Sequence, residues 1–354
     1  MRNPFKITPK ALSLLPPLKN NSVIKIPEAK YTKPQMLRQP SFTIVVGKQY
    51  IGKSFFSKMK ADKCLKGDKL TGTKPRKVLY FDINGEYKSV KTIPVDYAFG
   101  VPNENGIVVD SKTRTPIINW ISIFSSPRTK VEARRVVMTK SNGSLMNIEE
   151  INIVLEYILK YFTGGLLIVE DPTYYISDTP DRDLTGTLAR IRHKNCDIIC
   201  HFQYKSKALN PRLWNNASFI RIHKTEDNFR DYKNRMKGER RIVYLAEILE
   251  KQENKKLLIN ATKEQLANID KIPIETFYCT IHKKRTKICG DFSPNAFYSA
   301  VETYILQNKK DALFELVAEV NKKTGKSKYT FEEQLKIKAD ELFREYYGNQ
   351  LLNV

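Results

Sequence analysis

Residues Gly47-Lys48-Gln49-Tyr50-Ile51-Gly52-Lys53-Ser54 spell G-x4-G-K-S, a spacing that builds an anion cradle. Glycines let backbone amides approach an oxyanion closely, and the N-terminus of a following helix adds partial positive charge. Lys53 would reach the β- and γ-phosphates of a nucleoside triphosphate, and the Ser54 hydroxyl would bind Mg²⁺. Phe55, next in sequence, joins these eight as a candidate nucleotide contact. The expected cofactors are therefore ATP and Mg²⁺. Hydrolysis also needs a carboxylate near the metal and another to orient water. The run Leu166-Leu167-Ile168-Val169-Glu170-Asp171 ends an apolar strand in two acids suited to this. Either Glu170 stands in the metal's outer shell with Asp171 beside the attacking water, or Asp171 is the metal partner and another carboxylate activates water. Ser54, Glu170 and Asp171 are the candidate metal residues.

The elements that must position these groups follow from patterning. Short apolar strands alternate with helical stretches, the signature of an α/β fold with a mostly parallel sheet. Strands are expected at Thr43–Val46, Val78–Phe81, Leu166–Val169, Asp197–His201 and Ser218–His223, and a hairpin at Phe277–His282 and Lys287–Cys289. The helix after the glycine loop is expected to turn Phe55, Phe56 and Met59 inward. Asn147, with Glu150 three residues on, predicts a capping box. Ile151, Val154, Leu155, Ile158, Leu159 and Phe162 then mark one buried helix face. A further helix is expected near Asp183–His193. Residues 88–146 read as an insertion in a catalytic domain spanning 42–292, and 293–354 as a helical C-terminal extension.

The second strand runs into Asp82-Ile83-Asn84-Gly85-Glu86-Tyr87. This D-x-x-G-E-Y turn resembles the one after the second strand of FtsK–HerA superfamily ATPases, including viral packaging and zonular-occludens-toxin-like members. The run Arg190-Ile191-Arg192-His193 through Gln203 is similar to the stretch that, in that superfamily, precedes a strand ending in a glutamine sensor. The order Glu170-Asp171 is inverted relative to the usual one. The resemblance implies a RecA-like P-loop NTPase core closed by the β-hairpin. It also implies that Gln203 senses the γ-phosphate, against the plainer reading of an amide satisfying loop backbone. Glu86 is a second catalytic carboxylate or a turn acid. Arg190 and Arg192 are candidate arginine fingers for a neighbouring subunit's nucleotide, or surface and phosphate-backbone cations. On a helix they stand about 200° apart and cannot both point at one phosphate. Arg192, nearer Gln203, is the favoured one. The implied assembly is a homo-oligomeric ring, a hexamer.

Charge narrows the partner. The chain has 61 Lys+Arg against 38 Asp+Glu, a net charge of +23, which suits a polyanion. Residues 1–41 hold eight cations, one acid and seven prolines, and read as an extended basic arm. The expected partner is DNA, held mainly through phosphates. The expected function is an ATP-driven DNA translocase for genome packaging or DNA transfer by a phage or mobile element. The alternative is a nucleotide-regulated DNA-binding or virion-assembly protein. A viral capsid or transfer-channel protein would be a further partner, and the location cytoplasmic or virion-associated. No run reaches the length of a membrane span. A metabolic kinase is disfavoured by the charge, and a full-length terminase by the lack of a carboxylate cluster after residue 224. His193, Cys196, Cys200 and His201 have a metal-like composition, but neighbours on a strand point oppositely, which disfavours zinc. Cys279 and Cys289 read as packing residues. No Ser/His/Asp nucleophile set has supporting context.

Overall fold

The computed structural model describes residues 39–49, 51–68, 72–93, 101–102, 108–109, 120–139, 143–172, 194–236, 238–261, 276–308 and 329–348, all in the unit Gln39–Val354. The basic arm up to residue 38, the expected helix near Asp183–His193, and Tyr50, Arg190 and Arg192 lie outside the described residues.

Strand β1 (Phe42–Val46) leads through the glycine loop to helix α1 (Lys53–Lys66), and β2 (Val78–Asp82) follows. Segment 88–146 carries a short pair, β3 (Val101–Pro102) and β4 (Val108–Val109), then α2 (Trp120–Ser125) and β5 (Ala133–Val137). Strand β5 pairs in parallel with β2, so this segment supplies an edge of the main sheet. After α3 (Ile148–Tyr161) come β6 (Leu166–Val169), β7 (Asp197–Phe202), α4 (Lys205–Ala208), α5 (Pro211–Asn216) and β8 (Phe219–Ile222). Helix α6 (Arg240–Asn260) precedes the hairpin β9 (Cys279–His282) and β10 (Lys287–Gly290), and α7 (Pro294–Gln307) and α8 (Phe331–Tyr346) complete the order. The eight-stranded sheet runs β10-β9-β8-β1-β7-β6-β2-β5, parallel except for the hairpin.

Strands β1 and β6 are buried on both faces, as a parallel sheet requires. On one face Val45, Tyr80, Ile168 and Ile199 pack against Phe56, Ala61 and Cys64 of α1. On the other, Ile44, Phe81, Val169 and Cys200 join a larger core with Val154, Leu155 and Ile158 of α3. The capping box that starts α3 forms as its sequence predicts, with Asn147 and Glu150 bonded reciprocally. The inward face of α1 differs from expectation. Phe56 is buried, but Phe55 is 72% exposed and Met59 is 37% exposed. The buried stripe is Phe56, Ser57, Ala61 and Cys64, and Phe55 and Met59 fall on the opposite side of the helix.

At the C-terminal end, α6 packs against β9 and α7, and α7 against α8. The chain after α8 returns to the hairpin, where the Gly348 amide donates to the Ile288 carbonyl at 2.8 Å. Lys287 donates to the last carbonyls of α8 at Arg344 and Glu345, each at 2.7 Å.

Candidate active site at the carboxyl ends of the parallel strands

Side-chain alternation decides which groups meet. On the α1 face, β2 presents Val78, Tyr80 and then Asp82; β7 presents Asp197, Ile199 and then His201. Continuing β6 past Leu166 and Ile168 puts Glu170 on that same face. Asp82, Glu170 and His201 thus arrive together beside the N-terminus of α1. Asp171 is out of phase and departs from the strand with φ 33°, in the left-handed region. Gln203, one residue beyond β7, donates from Nε2 to Asp171 Oδ2 at 2.6 Å.

The glycine loop is shaped by its two glycines. Gly52 sits at φ 89° as the residue preceding α1, a conformation that costs other residues strain. Gly47 donates to the Phe202 carbonyl at 3.0 Å, and a Cβ there would come within 2.7 Å of the His223 Cβ. Lys53 folds back over the loop, donating to the carbonyl of Gly47 and to that of Lys48 at 2.9 Å. Burial lowers the Lys53 pKa, opposed by the carboxylates of Glu170, Asp171 and Glu86. The Ser54 hydroxyl donates to Glu86.

The turn that carries Glu86 is held by Asp82, which is fully buried. Its carboxylate accepts from the Glu86 amide at 2.8 Å and the Tyr87 amide at 3.1 Å, and pairs with Arg135 at 3.1 Å. The Tyr87 hydroxyl then donates to Glu170 Oε1. The other Glu170 oxygen meets His201 Nδ1 at 2.9 Å, and His201 Nε2 lies 2.6 Å from the Ser57 hydroxyl of α1. Burial pushes the Glu170 carboxyl up, but His201, the Tyr87 hydrogen bond and the Lys53 charge outweigh it, and the net shift is downward. Glu170 is an anion here.

Gln49, Gly52, Lys53, Ser54, Phe55, Glu86, Glu170, Asp171 and Gln203 line one cleft, though β2, β6 and β7 bring them from distant parts of the chain. Strand β7 lies between β1 and β6, so Gln203 stands between the glycine loop and the acidic pair. A phosphate-type loop joining a central parallel strand to a helix, with an acidic strand two places away, decides the architecture. The chain has a P-loop NTPase fold.

Solved structures similar to this P-loop chain include the genome packaging NTPase B204 from Sulfolobus turreted icosahedral virus 2 in complex with ATP-gammaS (13% identity, 71% of this chain and 96% of that one, TM-score 0.35). Others are the N-terminal domain of zonular occludens toxin from Neisseria meningitidis (17%, 53% and 79%, 0.28) and the assembled ATPase EscN of the enteropathogenic E. coli type III secretion system (12%, 86% and 67%, 0.28). No family model and no curated protein matches the chain.

The P-loop cleft fits Mg²⁺ with phosphate. Asp171 Oδ1, in the lining of the cleft, is buried and has no hydrogen-bond partner among the described residues, an acceptor left over for a ligand. Among the described residues no three His, Cys, Asp or Glu side chains gather to hold a metal alone. Mg²⁺ is usually held by one or two protein oxygens plus substrate phosphates, and Ser54 with the acids would supply the former. Among the described residues no helix is long and apolar enough to cross a membrane.

Sequence reasoning missed His201, Ser57 and the structural part of Tyr87. The i, i+2 spacing of His201 and Gln203 carried a signal, since it puts both on one side of the strand register. Beneath the P-loop, the Arg221 guanidinium lies 4.0 Å from the Phe56 ring centre and 3.3 Å from that of Tyr278, and donates to His223 Nε2 at 3.0 Å. Burial, then Arg221, Lys53 and His201, hold His223 well below its ordinary pKa and so neutral. Burial with Lys63 and Arg221 lowers Lys60 to about 8.

Proposed function

We propose that this protein is a Mg²⁺-dependent ATPase whose turnover drives movement along DNA, with residues 42–292 as the catalytic domain and 293–354 as a helical extension. The observation that carries the reading is the convergence of Lys53, Ser54, Glu86, Glu170, Asp171 and Gln203 on one cleft at the carboxyl ends of parallel strands. The amides at the start of α1, from Gly52 to Ser54, would cradle the phosphates, since those of Gly47 and Lys48 donate to the Phe202 and Lys224 carbonyls, and Lys53 would leave its loop carbonyls to neutralise phosphate charge. Mg²⁺, held by Ser54 with the acids, would supply neutralisation of the phosphate charge.

The two acids divide as their partners suggest. Glu170 is hydrogen-bonded at both oxygens and kept ionised, which suits a fixed outer-shell partner of the metal. Asp171 keeps one oxygen unpartnered and has the other tied to Gln203, which suits orienting and deprotonating water. Gln203 would exchange Asp171 for a γ-phosphate oxygen, and Glu86 would release Ser54 to the metal. Arg192, or else Arg190, would complete the site of a neighbouring copy in a ring, taken to be a hexamer.

DNA as the polyanion is supported by the net charge of +23. Phosphate contacts would give little base preference and a steep fall of affinity with salt. The function reading is tested by steady-state ATP turnover of the wild type and Asp171→Asn, with and without duplex DNA, beside binding of a fluorescent ATP analogue. The expected result is DNA-stimulated turnover, with Asp171→Asn binding the analogue and losing turnover about 10²–10⁴-fold. Turnover indifferent to DNA would favour the assembly-protein reading, and normal turnover in Asp171→Asn would refute the role given to Asp171.

A further inference from the structure

Ser57, His201 and Glu170 form a hydrogen-bonded series: Ser57 Oγ is 2.6 Å from His201 Nε2, and His201 Nδ1 is 2.9 Å from Glu170 Oε2. In outline this is the constellation of a serine nucleophile, its base and an orienting acid. Access excludes that chemistry. Ser57 is fully buried inside α1, and His201 is 1% exposed, so no acyl or phosphoryl group reaches the hydroxyl. The series runs the other way, ending at Glu170, which is buried in the wall of the cleft beside His201.

A buried carboxylate must have its lone pairs met, and donors approaching from two directions also fix its plane. Glu170 stands at the end of β6, between β2 and β7 in the sheet. Tyr87, on the turn after β2, donates from one side, and His201, on β7, from the other. An ionised carboxylate only accepts, so Nδ1 carries a proton toward Glu170, while Nε2 stands within hydrogen-bond distance of the Ser57 hydroxyl. Ser57 lies four residues after Lys53, on the same stripe of α1. The helix whose first turn holds the candidate phosphate contacts is thereby tied, one turn on, to the acid across the cleft.

We propose that His201 is a positioning residue: by bridging Glu170 to Ser57 it fixes the acid relative to the helix that bears Lys53 and Ser54, so that phosphate loop and acid keep one geometry. The inference rests on the nucleotide-hydrolysing reading above, and deepens it by naming what sets the distance between the two halves of the site. A misplacement of about 1 Å in such a site costs on the order of 10² in rate.

Two substitutions separate the halves of the bridge. In His201→Asn the side-chain amide stands near the place of Nδ1 and can still donate to Glu170, but does not reach Ser57. In His201→Gln the longer chain carries its amide toward the place of Nε2, keeping Ser57 and leaving Glu170. Each is measured for kcat and KM, for the Mg²⁺ concentration that half-saturates binding of a fluorescent ATP analogue, and for urea unfolding. Ser57→Ala is the third variant. Expected are a fall in kcat of about 10²-fold in His201→Gln with KM for ATP changed only a few-fold, and a raised Mg²⁺ requirement for analogue binding. His201→Asn should recover about tenfold of that loss, and Ser57→Ala should lie between it and the wild type. Equal losses in Asn and Gln variants that track loss of folded protein would overturn the proposal, as would wild-type kcat and Mg²⁺ dependence in all three. A wild-type protein that neither binds nor hydrolyses ATP would overturn the function reading itself, and this inference with it.

Discussion

Removing one oxygen atom from Tyr87 isolates one of the contacts that, after those of His201, hold Glu170 as an anion. Tyr87 is 1% exposed, and its ring lies 4.1 Å from that of Tyr80, so Phe fills the same space. What Tyr87→Phe deletes is the hydrogen bond to Glu170. A bond to a charged group contributes about 1.5–3 kcal/mol, and its loss should move the Glu170 pKa upward, toward the ordinary carboxylate value. The folded-state pKa of Glu170 is depressed, so its ionisation stabilises the protein above the unfolded carboxyl value. That contribution is lost as pH falls through the folded value. At neutral pH the variant should therefore be less stable by about 1.5–3 kcal/mol, and the gap should close on acidification. Urea unfolding followed by circular dichroism at neutral pH and at pH values stepped down through and below the carboxylate range measures both quantities. A Phe variant within about 0.5 kcal/mol of wild type at neutral pH, or a gap that does not change with pH, would refute the reasoning.

Lys53→Ala should abolish ATP turnover with the fold intact, read by turnover and circular dichroism together; normal turnover would remove the phosphate assignment. Asp82→Ala should cost about 3–5 kcal/mol, because it leaves Arg135 without its buried partner and frees the turn that carries Glu86 and Tyr87. Urea unfolding tests this, and a loss below about 1 kcal/mol would count against the clamp. Lys60→Met should raise thermal stability at pH 7. The unfolded ammonium titrates near 10.5 and the folded one near 8, so the folded protein carries a destabilised charge at low pH. The gain should fade as pH rises from about 8 toward 10.5, and a gain independent of pH would contradict it.

The fold was legible where one physical demand dominated. Strand β6 begins and ends where its apolar run does, because a parallel strand buried on both faces reads as a near-continuous apolar run. The start of α3 was legible from a capping box that needs only two residues. The orientation of α1 was not. Phe55 and Met59 are apolar, and hydrophobicity alone turns them inward, whereas small Ser57 and Ala61 occupy the contact with the sheet. At the site, the glycine loop and the two acids announced themselves by type and spacing. His201 did not, since a histidine beside a core cysteine has many ordinary explanations until Ser57 and Glu170 are seen on either side of it. Asp82 read as the strand end that opens the D-x-x-G-E-Y turn, but its hold on that turn was not legible, because the amides it binds leave no mark in composition.

The backbone at Asp171 sets a limit on what mutation can improve. A β-carbon at φ 33° is disfavoured, and Pro172 further restricts the residue before it. Glycine would relax the first of these constraints, and its lack of a side chain would also remove the buried, unpartnered Oδ1. Selection for thermal robustness alone should therefore drift toward Asp171→Gly and lose the carboxylate that Gln203 holds. Variants recovered after heating should be enriched at this position among the inactive survivors. Those that retain turnover should have gained their stability elsewhere, in the helices and hairpin away from the cleft.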